Sequence, residues 1–136
     1  MRNMTSFDYS ELSQLNKALS VQKLKTLLSS KTKNYGVVIE KANNIVAYCI
    51  YEESDSISIL DLFVDPHFRR NGYGTELIDG LIEKKLRDDM NCICVTVKDS
   101  ALQTHIFLKS LDFRAKINER DCELYDFTLC PKLVYN

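Results

Sequence analysis

Glycine, proline and histidine are scarce here, with four, two and two copies among 136 residues, and each shortage removes a class of explanation. Two histidines, His67 and His105, leave little from which to build a metal centre. The five cysteines (Cys49, Cys92, Cys94, Cys122 and Cys130) do not supply one either, because no C-x-x-C spacing occurs among them. They mostly lie within apolar runs and are expected to be buried, inert thiols. No Pro- or Gly-rich linker, internal repeat or low-complexity tract divides the chain, so a single domain over residues 1–136 is expected. No apolar run approaches the length of about 18 residues that a membrane span needs, and "MRNMTSFDYS" lacks the apolar stretch of a secretory signal. A cytoplasmic protein is the expectation. Charge of either sign is not in excess either, with 18 basic and 19 acidic residues, which gives no electrostatic reason for a nucleic acid or membrane surface as partner.

What is present is patterned apolar sequence. Leu12, Leu15 and Leu19, then Leu24, Leu27 and Leu28, recur at helical spacing and predict two short amphipathic helices. From Tyr35 the pattern turns β-branched and aromatic: "YGVVIE" and "IVAYCIYEE" flank "KANN" as a hairpin, and "SISILDLFV" follows as a third strand that stops at Asp65-Pro66. Leu77, Ile78, Leu81, Ile82 and Leu86 then share one face of a helix over "TELIDGLIEKKLRDD". A strand "CICVTV", a helix "SALQTHIFLKSL" and a closing strand "DCELYDFTL" complete the order. The pattern is an α/β sandwich with a mixed sheet, because a helix as long as the central one makes "SISILDLFV" and "CICVTV" parallel neighbours.

Two of the four glycines stand two apart in "DPHFRRNGYG", where a strand gives way to a helix. Such a turn presents unpaired backbone N–H groups where the helix dipole favours negative charge. Gly72 and Gly74 permit close approach of a ligand, and Arg69 and Arg70 add donors suited to phosphate oxygens. A helix that merely needs a flexible start would carry the same glycines. The turn is neither a P-loop, since G-x-x-x-x-G-K-S/T is missing, nor a dinucleotide fingerprint, since a third glycine is missing.

"VDPHFRRNGYG" resembles the pyrophosphate-binding signature of the GNAT superfamily of acetyl-CoA-dependent N-acetyltransferases, R/Q-x-x-G-x-G/A. It is preceded by that family's frequent V-x-P, here Val64-Asp65-Pro66. The likeness runs from Tyr35 to Leu129 through "FLKSLDFRA", and is closest in pattern to members that acetylate ribosomal-protein N-termini. It implies a three-layer sandwich in which a mixed, mostly antiparallel sheet is flanked by helices. It also implies acetyl-CoA as cosubstrate with no metal, and an amine acceptor: a protein N-terminus, a lysine or a small amine. Carried over residue by residue, the main chain of Leu62, Phe63 and Val64 would meet the pantetheine arm. Arg69, Arg70, Asn71, Gly72, Tyr73, Gly74 and Thr75 would take the pyrophosphate, and the amide of Val64 would meet the oxyanion if the strand bulges there.

The second half of the resemblance is degenerate. Where many relatives have a tyrosine that reprotonates sulfur, this chain has Leu108; Asp112 replaces a glycine, Ala101 an asparagine, and Thr96 a glutamate base. Asp61 is the remaining candidate base: period-two alternation aligns it with Ile57, Ile59 and Phe63 on an apolar side, where burial would raise its pKa. Alternatively a bulge turns it away. His105 and Tyr125 are weaker candidates for proton donation that also read as a surface histidine and a core residue, Cys94 is structural because direct amine attack needs no cysteine, and Glu52, Glu53 and Asp55 can attract a cationic amine or form a solvated turn. An acyl-CoA-binding module that has lost transfer is the alternative function. A nucleotide-binding protein fits less well, since the lysine and magnesium ligands expected beside a triphosphate are missing. The sequence leaves the oligomeric state open.

Overall fold

The computed structural model describes residues 1–85 and 92–130. Its centre is a seven-stranded sheet in the order β1-β2-β3-β4-β5-β7-β6. The strands are β1 (Arg2–Asn3), β2 (Asn34–Lys41), β3 (Asn44–Glu53), β4 (Ile57–Val64), β5 (Ile93–Lys98), β6 (Arg114–Ile117) and β7 (Leu124–Leu129). The β2–β3 hairpin turns through Ala42 and Asn43, both at positive φ (51° and 65°), as a tight turn between twisted strands requires. Neighbouring strands are antiparallel except β4 and β5, which run parallel. β1 pairs with β2 at the sheet edge and was not expected from a segment as short and polar as Arg2–Asn3.

Helices α1 (Tyr9–Leu15) and α2 (Val21–Leu27) cover one face. Leu12 of α1, Leu24 of α2 and Leu19 of the turn between them pack on Val38, Ile45, Tyr48 and Ile50. The expected first helix is shorter than its leucine spacing suggests, because Asn16 takes an extended conformation (φ −130°, ψ 104°) and ends α1 before Leu19. Ser20 then caps α2, its side chain accepting from Lys23 N–H at 3.0 Å.

Helices α3 (Tyr73–Lys85) and α4 (Leu102–Ser110) cover the opposite face. Leu77, Ile78 and Leu81 of α3 are fully buried against Val37, Cys49, Ile57 and Ile93, which contributes about 2 kcal/mol per side chain. The result is helix, sheet, helix: the three-layer α/β sandwich expected. Leu86, expected on the inner face of α3, lies outside the described residues.

One expectation about cysteine is overturned. Cys92 and Cys130 form a disulfide between the ends of β5 and β7, where the Ile93↔Leu129 pair sets their Cα atoms 4.3 Å apart. The antiparallel register makes them cross-strand neighbours, a relation that sequence spacing does not reveal. Cys49 matches the inert reading: it is buried, and burial pushes its thiol pKa well above the usual range. Cys94 is half-buried and Cys122 exposed, both as free thiols.

Candidate active site

The sheet opens in the middle. β4 and β5 pair at Ile57↔Ile93 and Ser58↔Cys94, and past those positions the register between them ends although both strands continue. Asp65 N–H donates to Val46 C=O at 2.8 Å, so alternation along the antiparallel ladder turns the N–H and C=O of Val64 and Leu62 away from β3, into the opening. Val64 C=O accepts from Arg69 Nε at 3.1 Å. Phe63 differs from its two neighbours. Its main chain faces β3, while its ring stacks on Tyr48 with centroids 5.7 Å apart and carries the Arg69 guanidinium at 5.8 Å.

The glycine turn closes one end of this opening. After β4, Asp65 caps a short 3-10 turn over Pro66–Phe68, its carboxylate accepting from His67 N–H at 2.9 Å. Arg70 and Gly72 both take left-handed conformations, at φ 67° and 79°. Asn71 Nδ2 donates to Phe68 C=O at 3.0 Å and braces the loop from inside. The first bond of α3 is Glu76 N–H to Gly72 C=O at 2.9 Å, so the N–H groups of Tyr73, Gly74 and Thr75 precede the helical ladder. A Cβ at Gly72 would meet nothing within 4 Å, whereas at Gly74 it would come within 3.0 Å of Phe107 Cζ. Gly72 is needed for its backbone angle and Gly74 for helix packing. Open N–H groups, a solvent-facing Gly72 and the arginines of the turn together fit a diphosphate.

Asp61 precedes Leu62 on the strand that edges the opening, but it does not lie on the face that alternation predicts. The register steps from Tyr51↔Ile59 to Ile50↔Asp61, so Leu60 is an extra residue in β4. The expected bulge is therefore at Leu60 rather than at Val64. It separates Ile57 and Ile59, which face α3 and α4, from Asp61 and Phe63, which face the α1 and α2 side. There Asp61 Oδ2 accepts from the Tyr48 hydroxyl at 2.6 Å, and Tyr48 Oη accepts from Asn16 Nδ2 at 2.9 Å. Sequence reasoning missed Tyr48 and Asn16, since residues 32 positions apart carry no local signal of contact. An open depression of about 400 Å³ beside α1, lined by Glu11, Gln14, Leu15, Asp65, Pro66 and His67, lies next to the turn.

The other candidates are held elsewhere. Leu108 is buried in the α3/α4 core. Asp112 takes φ 69° just past α4, the left-handed position that glycine suits, with its N–H on Lys109 C=O at 3.0 Å. His105 is bound to Lys98 C=O at 2.9 Å and meets Tyr125 and Phe127 edge-on, so it is half-buried rather than on the surface. Ala101 packs against the same core ahead of α4. Thr96 Oγ1 donates to Asp126 Oδ1 at 3.1 Å. Glu52, Glu53 and Asp55 sit at the β3–β4 turn, beside the paired end of β4 and β5 and away from the opening.

Residues 3–113 match the model of the Acetyltransferase (GNAT) family. The chain belongs to the GNAT acetyltransferase family. No curated protein matches the sequence, so the neighbours are structural. The PaiA N-acetyltransferase of Thermoplasma acidophilum, in complex with coenzyme A, superposes with a TM-score of 0.83 at 10% identity over 96% of this chain and 97% of its own. The ribosomal-protein-S18-alanine N-acetyltransferase of Escherichia coli does so at 0.74 and 14% identity, over 98% and 97%. A streptothricin acetyltransferase from Bacillus anthracis in complex with acetyl-CoA gives 0.65 and 17% identity, over 75% of this chain and 65% of its own. At such identities the likeness is one of fold. The GNAT fold accounts for the opened sheet: a parallel pair that separates after two residues leaves strand backbone available to a ligand, with a helix N-terminus at its head.

Proposed function

We propose that this GNAT member transfers the acetyl group of acetyl-CoA directly to a primary amine, with Asp61 as the general base. The single observation that carries the reading is the opening between β4 and β5. It exposes main-chain groups of Leu62 and Val64 on one side of Asp61 and leads to the free N–H groups of Tyr73, Gly74 and Thr75. The diphosphate would rest on the turn from Arg69 to Thr75, with the pantetheine arm along Leu62 and Val64. Coenzyme A and acetyl-CoA in two of the structural neighbours support this fit.

The chemistry follows from what each group can do. A protonated amine, with a pKa of about 10.4, cannot attack a carbonyl. Asp61 takes one proton, leaving the lone pair on nitrogen, and the nitrogen then bonds to the thioester carbon. The oxyanion accepts from the Val64 N–H. As the C–S bond breaks, the second nitrogen proton passes through water to the departing thiolate, a tolerable leaving group with a thiol pKa of about 8.5. Leu108 offers no proton at that position, and this route needs none from it.

Free-thiol release from acetyl-CoA, measured over a panel of peptides and small amines, tests the activity. Amine-dependent release is expected. Tight acetyl-CoA binding in thermal shift without any such release would leave a binding module instead. Asp61→Asn should lower kcat by about 10²-fold at neutral pH, with acetyl-CoA affinity nearly unchanged.

A further inference from the structure

We propose that Tyr48 and Asn16 are positioning residues that aim the Asp61 carboxylate, acting as a hydrogen-bond relay anchored in the α1–α2 turn. The inference rests on the reading of Asp61 as base and adds residues that no sequence pattern indicates. Its direction is fixed at every link. Ala18 N–H donates to Asn16 Oδ1 at 3.1 Å, so the amide of Asn16 must point its Nδ2 at Tyr48 Oη, 2.9 Å away. With that oxygen accepting, the Tyr48 hydroxyl proton turns to Asp61 Oδ2, at 2.6 Å. The Tyr48 ring is fully buried and stacked on Phe63, which fixes the position of its hydroxyl oxygen between the two partners. Burial, with the carboxylate beside it, pushes the tyrosine pKa far up, so it remains a donor.

The consequence falls on Asp61. Its Oδ2 is committed to Tyr48, and among the described residues Oδ1 has no protein hydrogen-bond donor. Oδ1 is therefore the oxygen left to take the ammonium proton, in an orientation the relay holds. The relay starts in the segment that joins the two helices over this face, so the aim of the carboxylate depends on how that turn is held.

A buried hydroxyl needs partners in any case, so the test must separate aiming from simple satisfaction. Steady-state kinetics of Tyr48→Phe, Asn16→Ala, Asp61→Asn and the double variant Tyr48→Phe/Asp61→Asn do so, with the best amine of the panel and saturating acetyl-CoA. Tyr48→Phe keeps the ring and its stacking. Its kcat should fall about tenfold, the KM for acetyl-CoA should hold, and no further loss should appear in the Asp61→Asn background. Asn16→Ala, which leaves the core intact, should show the same pattern more weakly and guards against a folding defect in the first variant. Wild-type kcat in both single variants, or losses that multiply with Asp61→Asn, overturn the relay alone. A fully active Asp61→Asn overturns the base assignment and the relay with it.

Discussion

Replacing Cys130 with serine removes the cross-link between β5 and β7, a bond that forms in oxidising surroundings. The bridge closes a sequence separation of 38 residues. In the chain-entropy account, the loop-closure freedom this removes from the unfolded chain corresponds to about 4 kcal/mol. Unfolding entropy of about 2.1 cal/mol/K per residue comes to about 0.29 kcal/mol/K over 136 residues, so losing the bridge lowers Tm by about 14 °C. The loss starts at a defined place. Ile57 N–H donates to Cys92 C=O at 3.0 Å, so the paired root of β4 and β5 loosens before the glycine turn does. Calorimetry of wild type and Cys130→Ser, each with and without dithiothreitol, reads the effect. Reductant should bring the wild type down to the variant and leave the variant where it is. Thiol titration of denatured, unreduced wild type should find three free thiols, Cys49, Cys94 and Cys122, and five after reduction. Five thiols before reduction, or equal melting temperatures, would refute the reasoning.

Two further perturbations follow from local geometry. Asp112 pays for a left-handed backbone at φ 69° that glycine adopts without strain, so Asp112→Gly should stabilise the fold by about 1 kcal/mol in urea titration, with m unchanged. Arg2 grips Asp8 through two nitrogens, at 2.9 and 2.7 Å, and the guanidinium holds the Asp8 carboxyl below its usual value of 3.8, with help from the Thr5 N–H. A depressed folded-state pKa stabilises above the unfolded value and is lost as pH falls through the folded one. Arg2→Ala should therefore cost about 1 kcal/mol at pH 7, a figure reduced for the exposure of Arg2. That difference should shrink once pH falls below 3.8 and disappear as it passes below the depressed folded-state value, in denaturant titrations.

The architecture was legible because the apolar periods were clean. Unbroken β-branched and aromatic runs in "VVI" and "IVAYCIY", leucines at three and four, and the stop at Asp65-Pro66 each follow from local chemistry, and together they leave few ways to order the sheet. The turn was legible because Gly72 and Gly74 stand beside Arg69 and Arg70. The face of Asp61 was not. One inserted residue at Leu60 reverses the parity of everything after it, and a bulge has no composition of its own. The partners of Asp61 come from β3 and the α1–α2 turn, and the disulfide from a register set by β5 and β7. Such contacts belong to the assembled sheet rather than to any window of sequence.

The extra residue at Leu60 also lets one strand serve two layers from positions of the same numbering parity. Before it, side chains serve one helical layer through Ile57 and Ile59; after it, the same odd positions serve the other through Asp61 and Phe63. A substitution at Leu60, itself 48% exposed, alters little beyond its own surroundings. A single deletion there would make Tyr51↔Ile59 and Ile50↔Asp61 consecutive rungs, keeping Asp61 and Phe63 on their present face and removing only the local kink that the bulge gives β4. The positions that hold Asp61 to its layer are therefore its partners Ile50 and Tyr48 on β3, and the bulge at Leu60 adds curvature.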